Sequence, residues 1–264
     1  MARPPESAAD HPPDHPPITP GHSRGCARCG ERHTDLVTEP PSPSAAPALS
    51  AVVLAGGTAR RWAGRDKTAF LLAGEPVLVH AVRAVLPGSR AVAVVAPPGH
   101  PARPLLEALP EAAGVRLRWT REEPPGAGPV AGLAAGLAAL PASTGCTDGD
   151  GTDDGHVVAV LAGDLPFTRT AWPRLLAALA ADAGADAVLG VDPDGHRQPL
   201  LAVYRRAALA ARLAAVPLVD QPLRVVTSGL RVITEPVTAQ EALDLDTPAD
   251  AEVAERIAAS GLRA

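Results

Sequence analysis

A chain of 264 residues accommodates one large domain or two small ones. Its 46% hydrophobic content supports a sizeable core, and with only 2% aromatics that core must be built from Ala, Val and Leu. The net charge of −5 argues against a general nucleic-acid binder, no apolar run approaches the ~20 residues of a membrane helix, and three cysteines are too few for a disulfide framework. With no apolar secretory-type segment near the start either, a cytoplasmic protein is expected.

Residues 1–48 hold roughly a third of the 30 prolines among Ser, Asp and His, with no apolar period. Such a segment cannot bury enough surface to offset its ordering entropy, and a disordered tail is expected. His22, Cys26, Cys29 and His33 within it offer an alternative, a small zinc site, although structural zinc ordinarily joins two ligand pairs across a longer loop.

From residue 49 strands and helices alternate, and residues 49–264 are expected to form one domain. Residues 51–54 are a buried strand that turns on Gly56 and Gly57 into a basic loop. Pro76 suits the first position of a helix running to Val85. Residues 91–95, AVAVV, form an apolar run of the kind found in parallel sheets covered on both faces. A short helix at 105–109 and a strand at 115–119 complete a βαβαβ order. That order predicts an α/β fold: a doubly wound, mostly parallel, Rossmann-like sheet with helices on both faces. A loop carrying Glu122 and Glu123 precedes a helix at 130–140. Gly128, Gly132 and Gly136 lie four residues apart along one side of it, allowing close approach to the sheet or to a ligand.

Residues 143–155 are rich in Asp and Gly but lack the register of a calcium loop, so a solvated linker is expected. The next strand, 157–161, runs directly into Asp164. Further strands are expected at 187–189, 198–204 and 230–234. Thr247 and Pro248 open the last helix.

A buried strand ending in paired glycines and followed by Arg60, Arg61 and Lys67 is suited to phosphate. Glycines admit the oxygens to backbone N–H groups, and the cations balance the charge. Neither the phosphate-loop pattern G-x-x-x-x-G-K-[ST] nor G-x-G-x-x-G follows the strand. In an open α/β sheet ligands bind beyond the carboxyl ends of the strands. Asp164 would face the glycine loop if the two strands are neighbours, where a carboxylate is a natural holder of Mg²⁺. A turn or helix-cap aspartate is the alternative.

LAGGTARRWAGRDK at 54–67 resembles the opening motif of the MobA-like nucleotidyltransferases, the molybdenum cofactor guanylyltransferases, which reads roughly LAGG-x-x-RRMGG-x-DK. Trp62 and Ala63 depart from that pattern. GPVAGLAAGL, LAGDLPF, RQPLLAVYRR and LDLDTPAD follow in the family's order. The resemblance implies transfer of GMP from Mg-GTP to the phosphate of molybdopterin, with pyrophosphate released. By that match Leu54, Ala55, Gly56 and Gly57 would line the nucleotide, and Lys67 and Arg61 would hold phosphate oxygens. Asp164 would bind Mg²⁺, and Glu122 or Glu123, with Gly128 nearby, would meet the nucleoside. Asp244 or Asp246 would bear on a second metal or serve as cap and turn. Arg197, Gln198, Arg205 and Arg206 are candidate contacts to the acceptor. Gly57 favours GTP over CTP, because cytidylyl relatives more often carry LAAG. Implied partners are GTP and molybdopterin, with other cofactor-biosynthesis proteins to be tested, and neither nucleic acid nor membrane. A cytidylyltransferase, an enzyme for another phosphorylated acceptor, and a non-catalytic nucleotide-binding module are the rival readings.

Overall fold

The computed structural model describes residues 48–56, 66–142 and 156–261. The chain divides into Met1–Ser44 and Ala45–Ala264, and every described residue belongs to the second unit. The expected tail with its Cys26–Cys29 pair, Gly57, Arg60, Arg61 and the Asp-rich stretch therefore lie outside the described residues.

In chain order the elements are β1 (Ala48–Leu54), β2 (Leu71–Leu72), β3 (Glu75–Pro76), α1 (Val77–Val85), β4 (Ser89–Val95), α2 (Arg103–Glu107), β5 (Arg116–Thr120) and α3 (Pro129–Ala139). There follow β6 (His156–Ala162), α4 (Ala171–Ala181), β7 (Ala187–Val191), β8 (Arg197–Arg205), α5 (Arg206–Ala214), α6 (Arg224–Thr227), β9 (Val232–Pro236) and α7 (Pro248–Gly261).

Seven strands make one sheet in the order β5-β4-β1-β6-β8-β7-β9. The apolar runs of β1, β4 and β6 are buried on both faces, as their composition requires. Val53, Val94 and Leu161 point to a layer closed by α1, α2 and α4; Val52, Val95 and Val160 point to the opposite layer under α3 and α5. The fold is thus a doubly wound α/β sheet, mostly parallel, as the alternation predicts. The small-residue stripe of α3 serves packing: a methyl added at Gly136 would collide with Val52 and Val95.

One expectation is corrected. Pro76 does not open α1; it pairs with Leu71 in the two-residue β2–β3 ladder, and its extended backbone (ψ 139°) leaves Val77 to start the helix. The antiparallel part of the mostly parallel sheet is a single strand. β8 runs antiparallel to both β6 and β7, because only residues 192–196 separate β7 from β8, too few for a parallel crossover.

The last helix begins as expected. Thr247 accepts from the Asp250 N–H at 3.3 Å, and Asp250 accepts from the Thr247 N–H at 2.7 Å, a reciprocal cap. Among the described residues no helix is long and apolar enough to cross a membrane.

Candidate active site

The carboxyl ends of the parallel strands are level. Leu54 of β1 is opposite Val95 of β4 and Ala162 of β6, and Val95 is opposite Thr120 of β5. Backbone bonds carry the register past the strand ends: Ala55 N–H donates to Val95 at 2.8 Å, and Gly163 N–H donates to Leu54 at 2.8 Å. Glycine at 163 suits this close approach, because a β-carbon there would press on Leu78 and Ala55 at 3.0–3.2 Å. Strands β4 and β6 flank β1, so the chain direction across the sheet reverses here, where open α/β sheets bind ligands.

A cleft of about 600 Å³ opens at this rim, within the size range of small-molecule sites. Leu54, Ala55 and Gly56 form its floor beside Gly128 and Gly132 of the α3 entry. Lys67, Asp164 and Asp244 line one wall. The antiparallel course of β8 brings its first residues, Gln198, Pro199 and Leu200, to the same rim. It carries Arg205 away: Arg205 is paired with Val157 at the far end of β6 and donates to the carbonyls of Ala185, Leu179 and Asp182. Arg205 and Arg206 are therefore not contacts to anything bound in the cleft. Arg197 is exposed and is not part of its lining.

Of the two adjacent glutamates, Glu122 faces the cleft and Glu123 does not. The Glu122 carboxylate accepts from the Gly126 N–H at 3.0 Å, and its oxygens lie 3.9 Å from where a β-carbon of Gly56 would stand. Arg121, which sequence reasoning passed over, also lines the cleft.

The charged centre is compact. The Lys67 ammonium is salt-bridged to Asp164 and donates to Asp246 at 2.7 Å. Oxygens of Asp164, Asp244 and Asp246 all lie within 4.8 Å of one another. The Leu245 N–H donates to the Asp164 carbonyl at 3.3 Å, tying the two acidic segments together. Burial acts to lower the Lys67 ammonium, but Asp164 and then Asp246 outweigh it and hold it above its ordinary value. Three hard oxygen ligands converging in this way fit a divalent cation such as Mg²⁺.

One signal in the sequence was stronger than its motif context suggests. Lys67 is the only lysine in the chain; the other 23 of the 24 basic Lys and Arg residues are arginines. A single lysine in a chain that otherwise uses arginine sets this position apart, since an ammonium and a planar guanidinium are not interchangeable.

A family model for the MobA-like NTP transferase domain matches residues 51–234. The chain belongs to this family. The MobA-like protein is accordingly a nucleotidyltransferase. It is 32% identical over 217 residues to a probable molybdenum cofactor guanylyltransferase of Chloroflexus aggregans, covering 76% of this chain and 91% of that one. Its fold resembles that of molybdopterin-guanine dinucleotide biosynthesis protein A from Archaeoglobus fulgidus, with a TM-score of 0.56 and 24% identity over 80% of this chain and 99% of that one. A 4-diphosphocytidyl-2C-methyl-D-erythritol synthase from Anaerococcus prevotii is similar in fold to the same degree, with a TM-score of 0.56 and 13% identity over 80% and 98% of the two chains.

In this transferase Asp244 gives the charged centre a measurable pH signature. Burial first, then Asp246 and Asp164, push its carboxyl up from 3.8 to about 6, against the pull of Lys67. Between those values Asp244 is more protonated in the folded chain than in the unfolded one, so its own contribution to stability falls as pH rises through the window. Asp244→Asn is expected to remove that fall. The outer side of Asp244 is exposed and screened, so the gain at pH 7 is at most about 1 kcal/mol. Urea midpoints of both proteins at pH 4 and pH 7, in chelator, check it: the variant should gain on the wild type between the two pH values, and a difference that stays constant would contradict it.

Proposed function

We propose that the transferase moves GMP from Mg-GTP to the terminal phosphate of molybdopterin and releases pyrophosphate. The observation that carries this reading is the meeting of Lys67, from the segment after β1, with Asp164, from the end of β6, at the mouth of a nucleotide-sized cleft. The molybdenum cofactor guanylyltransferase of Chloroflexus supports the choice of acceptor and nucleotide.

In the proposed reaction an acceptor phosphate oxygen forms a bond to the α-phosphorus, and the bond from that phosphorus to the bridging β-phosphate oxygen breaks. Leu54, Ala55 and Gly56 carry the nucleoside over the end of β1, and Glu122 accepts hydrogen bonds from its base or sugar. Lys67 holds phosphate oxygens and offsets charge that develops as pyrophosphate departs. Asp164, with Asp244 and Asp246, would hold Mg²⁺, which when bound neutralises the triphosphate. The rate arises from positioning and charge rather than from a covalent intermediate. Gln198 and Pro199 border the side from which the acceptor enters.

The test is purified protein with molybdopterin and each nucleoside triphosphate in turn, following pyrophosphate release. Turnover with GTP is expected. Turnover with CTP alone would overturn the guanylyl assignment, and turnover with no nucleotide would overturn both nucleotide and acceptor.

A further inference from the structure

Lys67 stands at the start of a single 3-10 turn, Lys67–Ala69, a short segment with little rigidity of its own. Beneath it lies a polar cluster of Asp66, Thr68 and His100, the last two buried. Asp66 caps the turn, accepting from the Thr68 N–H at 2.9 Å and from the Thr68 hydroxyl at 2.7 Å. The other Asp66 oxygen lies 3.1 Å from Nε2 of His100, and the Thr68 hydroxyl lies 2.9 Å from the same nitrogen. His100 is 4% exposed and sits in the loop after β4, thirty-two residues from Thr68.

The hydrogen-bond pattern fixes the ring. Ala102 N–H donates to Nδ1 at 3.1 Å, so the ring proton lies on Nε2 and points at Asp66 and Thr68. The imidazole stacks on Trp119 of β5, with ring centroids 6.4 Å apart and planes at 27°, and the Arg103 guanidinium covers that indole at 5.5 Å. Burial acts to raise the Asp66 carboxyl, but the bonds from His100 and Thr68 outweigh it and hold it below its ordinary value. A buried histidine that spends one nitrogen on its own loop and the other on the cap of the lysine turn links β4 and β5 to the position of Lys67. Both Asp66 and Thr68 also line the cleft, so the cluster borders the space open to a nucleotide.

We propose that His100 is a positioning residue: through Asp66 and Thr68 it holds the Lys67 turn in register with Asp164. The consequence for phosphate binding rests on the function proposed above; the consequence for Lys67 itself does not. Having one lysine makes the second directly observable, because lysine-selective ¹³C labelling yields the signals of a single side chain.

In the free wild-type protein the two Lys67 ε-protons are expected to be inequivalent and shifted from free-lysine positions. In His100→Leu they should collapse toward those positions while core methyl signals stay in place. In His100→Gln, whose amide reaches the same acceptors, they should remain dispersed. MgGTP affinity is then measured in a double-mutant cycle. His100→Leu should weaken it on the order of tenfold in the wild-type background and less than about twofold in Lys67→Ala. Unchanged Lys67 signals in a folded His100→Leu would overturn the proposal, as would equal losses of affinity in both backgrounds. If His100→Leu does not fold, Asp66→Asn takes its place with the same two criteria. A wild type that fails to bind MgGTP would refute the nucleotide reading, and the Lys67 signals would still decide the role of His100.

Discussion

Asp164→Asn is expected to lower pyrophosphate release on the order of 10³-fold, with the fold retained by circular dichroism. The side chain is buried, with 5% of the residue exposed, and it is isosteric with its amide. The change therefore removes charge and leaves shape. What is lost is the anion that faces Lys67 on one side and converges with Asp244 and Asp246 on the other. An amide there offers one neutral oxygen to a divalent cation and turns an N–H toward one partner. Wild-type pyrophosphate release in this variant would show that the chemistry lies elsewhere in the cleft.

Lys67 is expected to show two effects of opposite sign. Lys67→Ala removes the only ammonium at the rim, and turnover should fall about 10²-fold or more, with weaker nucleotide binding. The same change frees Asp164 and Asp246 from the cation that neutralises them. Mn²⁺ binding without nucleotide, followed by electron paramagnetic resonance, should therefore tighten several-fold, because the ammonium and the divalent ion compete for one set of carboxylates. Lys67→Arg should not restore turnover: its planar fork cannot place one compact charge between two carboxylates. Weaker Mn²⁺ binding by Lys67→Ala would refute the competition, and a fully active Lys67→Arg would refute the demand for an ammonium.

Much of this architecture could be read from the sequence because its signals are local. AVAVV and VVAVL are too continuously apolar for anything but strands covered on both faces, and they proved to be β4 and β6 beside β1. The meeting of Lys67 with Asp164 is in keeping with those strands being neighbours: Asp164 lies just past the end of β6, and Lys67 belongs to the segment that follows β1. Less visible was whatever depends on direction or on a single bond. The reversal of β8 was signalled by the brief Asp-Pro-Asp-Gly-His connection, a hairpin turn, yet its pairing with β6 brings together residues some forty positions apart. That reversal decides that Gln198 reaches the rim and Arg205 does not. Glu122 and Glu123 are indistinguishable in sequence; one hydrogen bond from Gly126 accompanies the turn of the first toward the cleft. Asp244 and Asp246 read equally well as cap or turn residues; the cap of the last helix is Thr247, paired reciprocally with Asp250.

The reversed strand also separates two kinds of change. The ends of β1, β4 and β6 are held by parallel register, and a shift there would move Lys67 and Asp164 apart. The connection at 192–196 joins only β7 and β8 and stands outside that register. Lengthening or shortening it would bear first on Gln198 and Pro199, the residues of β8 that line the cleft. On the function proposed above, the hairpin at 192–196 is therefore the place where a change of length would touch the acceptor's side of the cleft before it touched Lys67 and Asp164.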